Sequence, residues 1–204
     1  MKVKKTGLIL LLAMLALTAR AFAGSYSIDF ENLTDGTVVG NNYSSFGVIF
    51  QNAVIATAGI SLNEFEFPPH SGVNVAIDGL GPITLLFTTP ITSFSAYFTY
   101  AEPLTMTGYN AMNQVVGTAS SLYNANYVSS GNPPNELVGL NFLGGISSIT
   151  ILADPLGDSF TMDDASFKQL PIPEPNTLYI LGPALVVLFG SLRCVLRTAE
   201  SIKS

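Results

Sequence analysis

The sequence predicts an all-β protein, an antiparallel β-sandwich that lies between two apolar ends. Apolar residues alternate with polar ones in short runs, which is the period of a strand with one buried face. Turn residues recur about every ten residues, as they do in sandwiches. No long run shows a helical period, and the chain has 18 glycines and only 11% charged residues. Together these observations predict a single sandwich domain over residues 24–168.

The alternation defines about nine or ten predicted strands between Ser25 and Phe167. In the first run, SYSIDF, the side chains of Tyr26, Ile28 and Phe30 share one face. Pro82 and Pro90 are predicted to bracket one strand, since proline lacks the N–H that a sheet needs. The other predicted strands lie in FGVIFQNAVIATAG, VNVAIDGLG, PITLLF, ITSFSAYFTY, LTMTGYNAMNQVVGTASSLY with its turn at 110–113, NELVGLNF, SSITILAD and SFTMDDASF.

The N-terminus has the three parts of a secretory signal peptide. Three lysines stand within the first five residues, residues 8–17 are almost wholly aliphatic, and Ala21 and Ala23 supply small residues at the cleavage positions. We therefore predict a cleaved signal peptide over residues 1–23. An uncleaved N-terminal anchor is the alternative.

The exported part is strongly acidic, which excludes one class of partner. From Asp29 to Glu174 the chain has thirteen acidic residues and one base, Lys168, a net charge of −12. Such a surface repels the phosphates of nucleic acids and anionic lipids, but it is compatible with neutral sugars and divalent cations. The sequence therefore predicts no nucleic-acid partner.

The C-terminal end predicts a membrane anchor that follows an exposed linker. Residues 169–176 contain three prolines in close succession, which disfavour both helix and sheet. The apolar run that starts at residue 177 would reach across a bilayer of about 30 Å if the helix continues to its basic end at residue 197. The basic end is predicted to stay in the cytoplasm, with residues 198–204 as a cytoplasmic tail. A helix buried in the core is the alternative.

The tail also resembles the PEP-CTERM sorting tails of bacterial exported proteins. The motif Pro173, Glu174, Pro175 precedes the apolar span, and Arg193 and Arg197 follow it. This resemblance implies handling by an exosortase-type sorting enzyme, with retention in the inner membrane before release to the cell surface or extracellular matrix. It implies a non-catalytic exported surface or matrix protein. A plain anchor that is never cut is the alternative.

The middle of the chain resembles jelly-roll or galactose-binding-like β-sandwiches in its segments IDFENL, NNYSSFGVIF and SFTMDDASF. Sandwiches of this kind often hold a structural calcium where the first and last strands meet. The resemblance implies Asp29, Glu31, Asp163 and Asp164 as the ligands, since calcium prefers oxygen donors. Adjacent strand residues point to opposite faces, so only one of Asp163 and Asp164 is predicted to bind. Solvated acids at strand ends are the alternative.

The sequence contains few residues in arrangements that could support catalysis, so we predict a protein that is not an enzyme. His70 is the only histidine and no GxSxG motif accompanies it. Glu64 and Glu66 would share one face of a strand, where a solvated edge is the simpler explanation. The alternative function is a carbohydrate-binding module with a structural calcium and an extracellular polysaccharide as its partner. Tyrosines could contact the sugar, although tyrosine on strands more often packs in the core and tryptophan is absent.

Overall fold

The structure is a computed structural model that describes residues 23–171, within which Ala23–Leu170 form one compact unit. This unit consists of nine β-strands and two single-turn 3₁₀ helices, at Ser44–Phe46 and Val128–Ser130. The strands are β1 (Ser25–Ile28), β2 (Val48–Gln51), β3 (Ala53–Thr57), β4 (Asn74–Asp78), β5 (Ile83–Tyr100), β6 (Thr105–Tyr109), β7 (Val115–Ser120), β8 (Glu136–Leu152) and β9 (Phe160–Gln169).

All strand pairs are antiparallel, and the strands form the two layers of a β-sandwich. The front layer has the order β3-β4-β9-β5-β8, with β1 alongside the second half of β9. The back layer has the order β2-β5-β8-β6-β7. The prediction of an all-β antiparallel sandwich is confirmed.

Strands β5 and β8 belong to both layers, which the sequence did not predict. Residues 83–87 of β5 pair in the back layer, and residues 91–100 pair in the front layer. The pairing register shifts between Leu86 and Ile91, and Pro90 lies at this bend. The prediction that Pro82 and Pro90 bracket a strand is therefore wrong for Pro90. A proline is tolerated there because the bend removes it from the regular ladder.

Apolar side chains from the two layers meet in one continuous core. The ring of Phe87 in the back layer lies 5.3 Å from that of Phe167 and 6.5 Å from that of Phe94, both in the front layer. Phe30, just after β1, packs edge-on against Phe50 of β2 at 5.9 Å. These contacts explain the alternation in the sequence, since each strand turns every second side chain towards the opposite layer.

A long loop between β3 and β4, residues 58–73, lies over the outer side of the front layer. Its Leu62 is 9% exposed and packs with Ala56 and Val75 in a second, smaller core. Phe67 of this loop stacks on Tyr127 of the loop before β8 at a ring distance of 6.0 Å. The outer face of the front layer is thus partly covered by this loop.

The predictions for the two ends of the chain lie outside the described residues. These are the signal peptide with Ala21, the motif from Pro173 to Pro175, the apolar span and the basic residues Arg193 and Arg197. Within residues 23–171, the structure contains no helix that is both long and apolar enough to span a membrane.

Candidate functional site

The carboxylate of Glu31 holds the end of the β3–β4 loop in place. It accepts hydrogen bonds from the backbone N–H groups of Val73 and Asn74, at 2.9 and 2.7 Å. Gly72 has a φ of +54°, and a Cβ at that position would lie 2.3 Å from the Glu31 carboxyl carbon. Glycine is required here because the backbone must approach the carboxylate closely. Asp29 is exposed, and its carboxylate accepts the N–H of Glu31 at 3.2 Å.

Asp163, on β9, also holds this loop in place. Its side chain is 1% exposed and accepts the backbone N–H groups of His70 and Ser71, each at 2.8 Å, and that of Asp164 at 2.7 Å. Burial raises the pKa of Asp163 to about 6, against the lowering effect of the N–H donors. Removal of the carboxylate from water thus outweighs its hydrogen bonds.

Asp164 contacts the same loop as Asp163, so the prediction that the two acids point to opposite faces is wrong. Asp164 Oδ2 lies 2.6 Å from His70 Nδ1, and Oδ1 accepts the Ser71 hydroxyl at 3.0 Å. The reason is a bulge: Asp164 has a φ of +46°, and the pairing of β9 with β5 shifts register at this point. A bulge interrupts the alternation of side chains along the strand.

His70 lies flat on the ring of Tyr97, with a ring distance of 3.5 Å and an angle of 9° between the planes. The hydroxyl of Ser71 points to Asp164 rather than to the imidazole. The three side chains therefore do not form the chain of hydrogen bonds from serine to histidine to aspartate that nucleophilic catalysis needs. They serve to hold the loop against β9.

Three of the four predicted calcium ligands contact the loop at residues 70–74, whereas Asp29 accepts the N–H of Glu31. Glu31, Asp163 and Asp164 each accept hydrogen bonds from the loop. Within residues 23–171, no three His, Cys, Asp or Glu side chains are grouped so that they could hold a metal ion. Calcium at Asp29, Glu31, Asp163 and Asp164 stays a prediction.

Glu64 and Glu66 lie in the β3–β4 loop and not on a strand. Glu64 accepts the N–H of Gly59 at 3.2 Å, and Glu66 accepts the N–H of Ser129 at 2.8 Å and the Ser129 hydroxyl. The hydrogen bonds from Ser129 lower the pKa of Glu66. Glu64 therefore stabilises the β3–β4 loop itself, and Glu66 connects this loop to the loop before β8.

Most tyrosines serve packing, as the simpler interpretation of the sequence predicts. Tyr43 and Tyr100 are buried, and burial is the main cause that raises the pKa of each to about 12. Tyr26 stacks on Phe167 at 5.2 Å. Tyr109 is different, because it is half-buried on β6 and its neighbours across the sheet are Ser148 and Val115.

Tyr109 belongs to the outer face of the back layer, which carries a row of hydroxyl groups. In the register of the back layer, Gln51 pairs with Thr84, Thr84 with Thr150, Thr150 with Thr107, and Thr107 with Thr118. Paired residues in an antiparallel sheet have their side chains on the same side. Four threonines from four neighbouring strands thus stand in line, and with Gln51 the row spans five strands, about 19 Å.

This row faces away from the core. The residues on either side of it along the strands, such as Leu85, Ile149 and Met106, are fully buried, whereas the row residues are half-buried or exposed. In the described part of the chain, the threonine hydroxyls that hydrogen-bond to protein lie elsewhere, at Thr34, Thr37, Thr57, Thr88, Thr92, Thr99 and Thr161. The hydroxyls of the row are therefore available to a ligand.

The face is also uncharged. None of the residues of β2, β6 and β7, nor residues 83–88 of β5 and 146–152 of β8, is Asp, Glu, Lys, Arg or His. The acidic groups described above cluster instead around the loops and the front layer. We call the outer side of the back layer, with Gln51, Thr84, Thr107, Thr118, Thr150 and Tyr109, the hydroxyl face.

The hydroxyl face was not predicted from the sequence. Its members are common residues, and their alignment depends on the pairing of strands distant in the chain. One signal was present: threonines recur at alternate positions in LTMTGY, and four of the nine predicted strand segments lack any charge. That pattern predicts an exposed face of hydroxyls, but not their alignment.

Comparison with solved structures gives distant similarities. The chain is similar to the K2 cleaved adhesin domain of Lys-gingipain, with 14% identity and a TM-score of 0.43 over 71% of this chain and 99% of that one. A family 29 carbohydrate-binding module has 13% identity and a TM-score of 0.38, over 73% and 90%. A family 6 carbohydrate-binding module has 14% identity and a TM-score of 0.35, over 73% and 95%. No protein-family model and no curated protein matches this chain.

Proposed function

We propose that this protein is a non-catalytic surface protein whose β-sandwich binds neutral polysaccharide on its hydroxyl face. The observation that carries the proposal is the row from Gln51 to Thr118, which presents hydrogen-bonding groups on an uncharged surface. Hydroxyl groups both donate and accept hydrogen bonds, as the hydroxyls of a sugar do. The threonine methyl groups and the ring of Tyr109 offer apolar contact to the C–H groups of a sugar.

The charge of the domain favours neutral over anionic sugars. Lys168 is the only Lys or Arg among residues 23–171, against twelve acidic residues. An anionic polymer would be repelled by this surrounding charge, whereas a neutral one would not. A neutral ligand also avoids the free-energy cost of removing a charge from water at the contact. We also propose that the sandwich has the jelly-roll or galactose-binding-like form.

Replacing Thr107 and Thr150 together by valine tests the proposal. Valine keeps the shape and the preference for strands but removes both hydroxyls. We expect affinity for a neutral polysaccharide to fall about thirtyfold, since each neutral hydrogen bond contributes about 1 kcal/mol and the variant loses two of them. The measurement is affinity electrophoresis of the full-length protein, in a detergent without sugar, through gels that contain neutral or anionic polysaccharide.

Thr34→Val is the matched control, because Thr34 is exposed in the loop between β1 and β2. It should migrate as the wild type does in every gel. Equal retardation of the double variant and the wild type would contradict the proposal, and so would stronger retardation by the anionic polymer.

We propose further that the tail delivers this domain to the cell surface. The motif Pro173, Glu174, Pro175, followed by the apolar span and Arg193 and Arg197, supports sorting by an exosortase-type enzyme. The signal peptide would direct export, and the C-terminal helix would hold the domain at the inner membrane until it is processed.

Glu174→Ala tests the sorting proposal. In a host that has the sorting enzyme, we expect the wild type to lose mass and leave the membrane, and the variant to keep its mass and stay in the membrane fraction. Mass spectrometry and fractionation provide the measurement. A wild type of unchanged mass would show that the tail is a plain anchor, and this would leave the binding proposal untouched.

A further inference from the structure

A cavity of about 120 Å³ lies on the outer side of the front layer, away from the hydroxyl face. Its floor is formed by Ile77 of β4 and Thr161 of β9, which pair in register, together with Phe160. Leu62 and Phe67 of the β3–β4 loop form the wall, and Asp158 completes the lining.

The cavity is built from side chains that are already held in place. Phe160, Thr161 and Leu62 are 2%, 4% and 9% exposed, so their positions are set by the cores beneath them. Phe67 is supported by its stacking on Tyr127. The hydroxyl of Thr161 donates to the carbonyl of Thr99 at 3.4 Å, so the floor has no polar hydrogen directed at a ligand. The lining offers mostly apolar and aromatic contact.

Asp158 is the one ionisable group in this lining. It is exposed and has a φ of +53°, and its backbone N–H donates to the carbonyl of Asp78 at 2.6 Å. Among residues 23–171, the only ion pair is the one between His70 and Asp164, so no Lys or Arg of this part of the chain neutralises Asp158. An apolar cavity with a carboxylate in its lining is complementary to a cation on an apolar stem.

The size of the cavity and the charge around it restrict the class of ligand that can bind. The volume is that of about four water molecules, which is well below the roughly 300 Å³ of pockets for drug-sized ligands. A short aliphatic chain fits this space better than a sugar ring does. Phe67, which is only partly buried, can also attract a cation through its ring. The net negative charge of the domain raises the local concentration of cations.

We propose that this cavity binds the lysine side chain of a partner protein. The aliphatic stem lies against Leu62, Ile77 and Phe160, and the ammonium group lies next to Asp158. This site is separate from the hydroxyl face, and its ligand belongs to another chemical class than the polysaccharide. The two proposals can therefore fail independently.

The test is a titration of full-length, methyl-labelled protein, followed by the NMR shifts of the Ile77 and Leu62 methyl groups. The probes are Nα-acetyl-lysine amide, Nα-acetyl-norleucine amide and glucosamine. Norleucine has the same stem without the charge, and glucosamine is a cation without the stem. We expect the lysine probe to bind at least threefold more tightly than either of the others, and to bind more weakly as ionic strength rises.

Asp158→Asn should weaken binding of the lysine probe about twofold to fivefold, the size expected for a solvent-exposed ion pair. Asparagine tolerates the positive φ at this position, so the backbone should be kept. Glu102→Gln removes one charge from an exposed loop position and should leave the binding unchanged. Equal affinity for the lysine and norleucine probes, tighter binding of glucosamine, or an unaltered affinity in Asp158→Asn would overturn the proposal.

Discussion

Replacing Asp78 by alanine should lower the free energy of unfolding by about 3 kcal/mol, because it leaves buried hydrogen-bond donors without a partner. Asp78 is 0% exposed at the end of β4. Its Oδ1 accepts the N–H groups of Ser159 and Phe160 at 2.8 and 3.0 Å, and its Oδ2 accepts the Ser159 hydroxyl at 2.6 Å. The measurement is chemical denaturation followed by circular dichroism.

Asp78→Asn separates the loss of acceptors from the loss of charge. Burial raises the pKa of Asp78, so a neutral side chain at this position costs less to bury than a carboxylate does. The amide oxygen can still accept both N–H groups, and the Ser159 hydroxyl can turn to accept from the amide nitrogen. We expect this variant to lose about 1 kcal/mol or less. A loss of that size in Asp78→Ala as well would contradict the explanation.

The free energy of unfolding should depend on pH through Asp163, falling by up to about 3 kcal/mol as pH rises from about 4 to about 6. Burial raises the pKa of Asp163 from 3.8 to about 6 in the folded protein. Between these values the folded state binds more protons than the unfolded state, so each increase in pH favours unfolding. Above about pH 6 this contribution should become constant.

Other groups also titrate in this range, so the measurement compares the wild type with Asp163→Asn. His70 and Asp164 lie next to Asp163 and remain present in both proteins. Subtracting the two curves of unfolding free energy against pH leaves the part due to Asp163. The difference should change between about pH 4 and pH 6 and be flat above. Parallel curves across the whole range would contradict the raised pKa.

The strands were predictable because burial leaves a period of two in the sequence. Each predicted segment from SYSIDF to SFTMDDASF overlaps an observed strand, and the turn at residues 110–113 joins β6 and β7 as predicted. The continuity of β5 and β8 was not predictable, because Pro90 and Gly145 are residues that usually end strands. Here they mark the place where a strand passes from one layer to the other.

The sites were less predictable than the strands. Asp163 and Asp164 were candidates because the resemblance to galactose-binding-like sandwiches implies acidic ligands where the first and last strands meet. The sequence did not predict that both side chains contact the same loop, because this depends on the left-handed conformation of Asp164. The hydroxyl face depends on pairing between residues up to 66 positions apart, such as Thr84 and Thr150. A single sequence carries no direct record of that pairing.

The most direct test of the binding proposal is to locate a neutral oligosaccharide on the full-length protein by NMR. The proposal predicts that the largest shift changes fall on Thr84, Thr107, Thr150 and Tyr109, and that His70 and Ser71 on the front layer do not change. Changes centred on the loop around His70, or no changes at saturating sugar, would contradict the claim that the hydroxyl face is the binding surface.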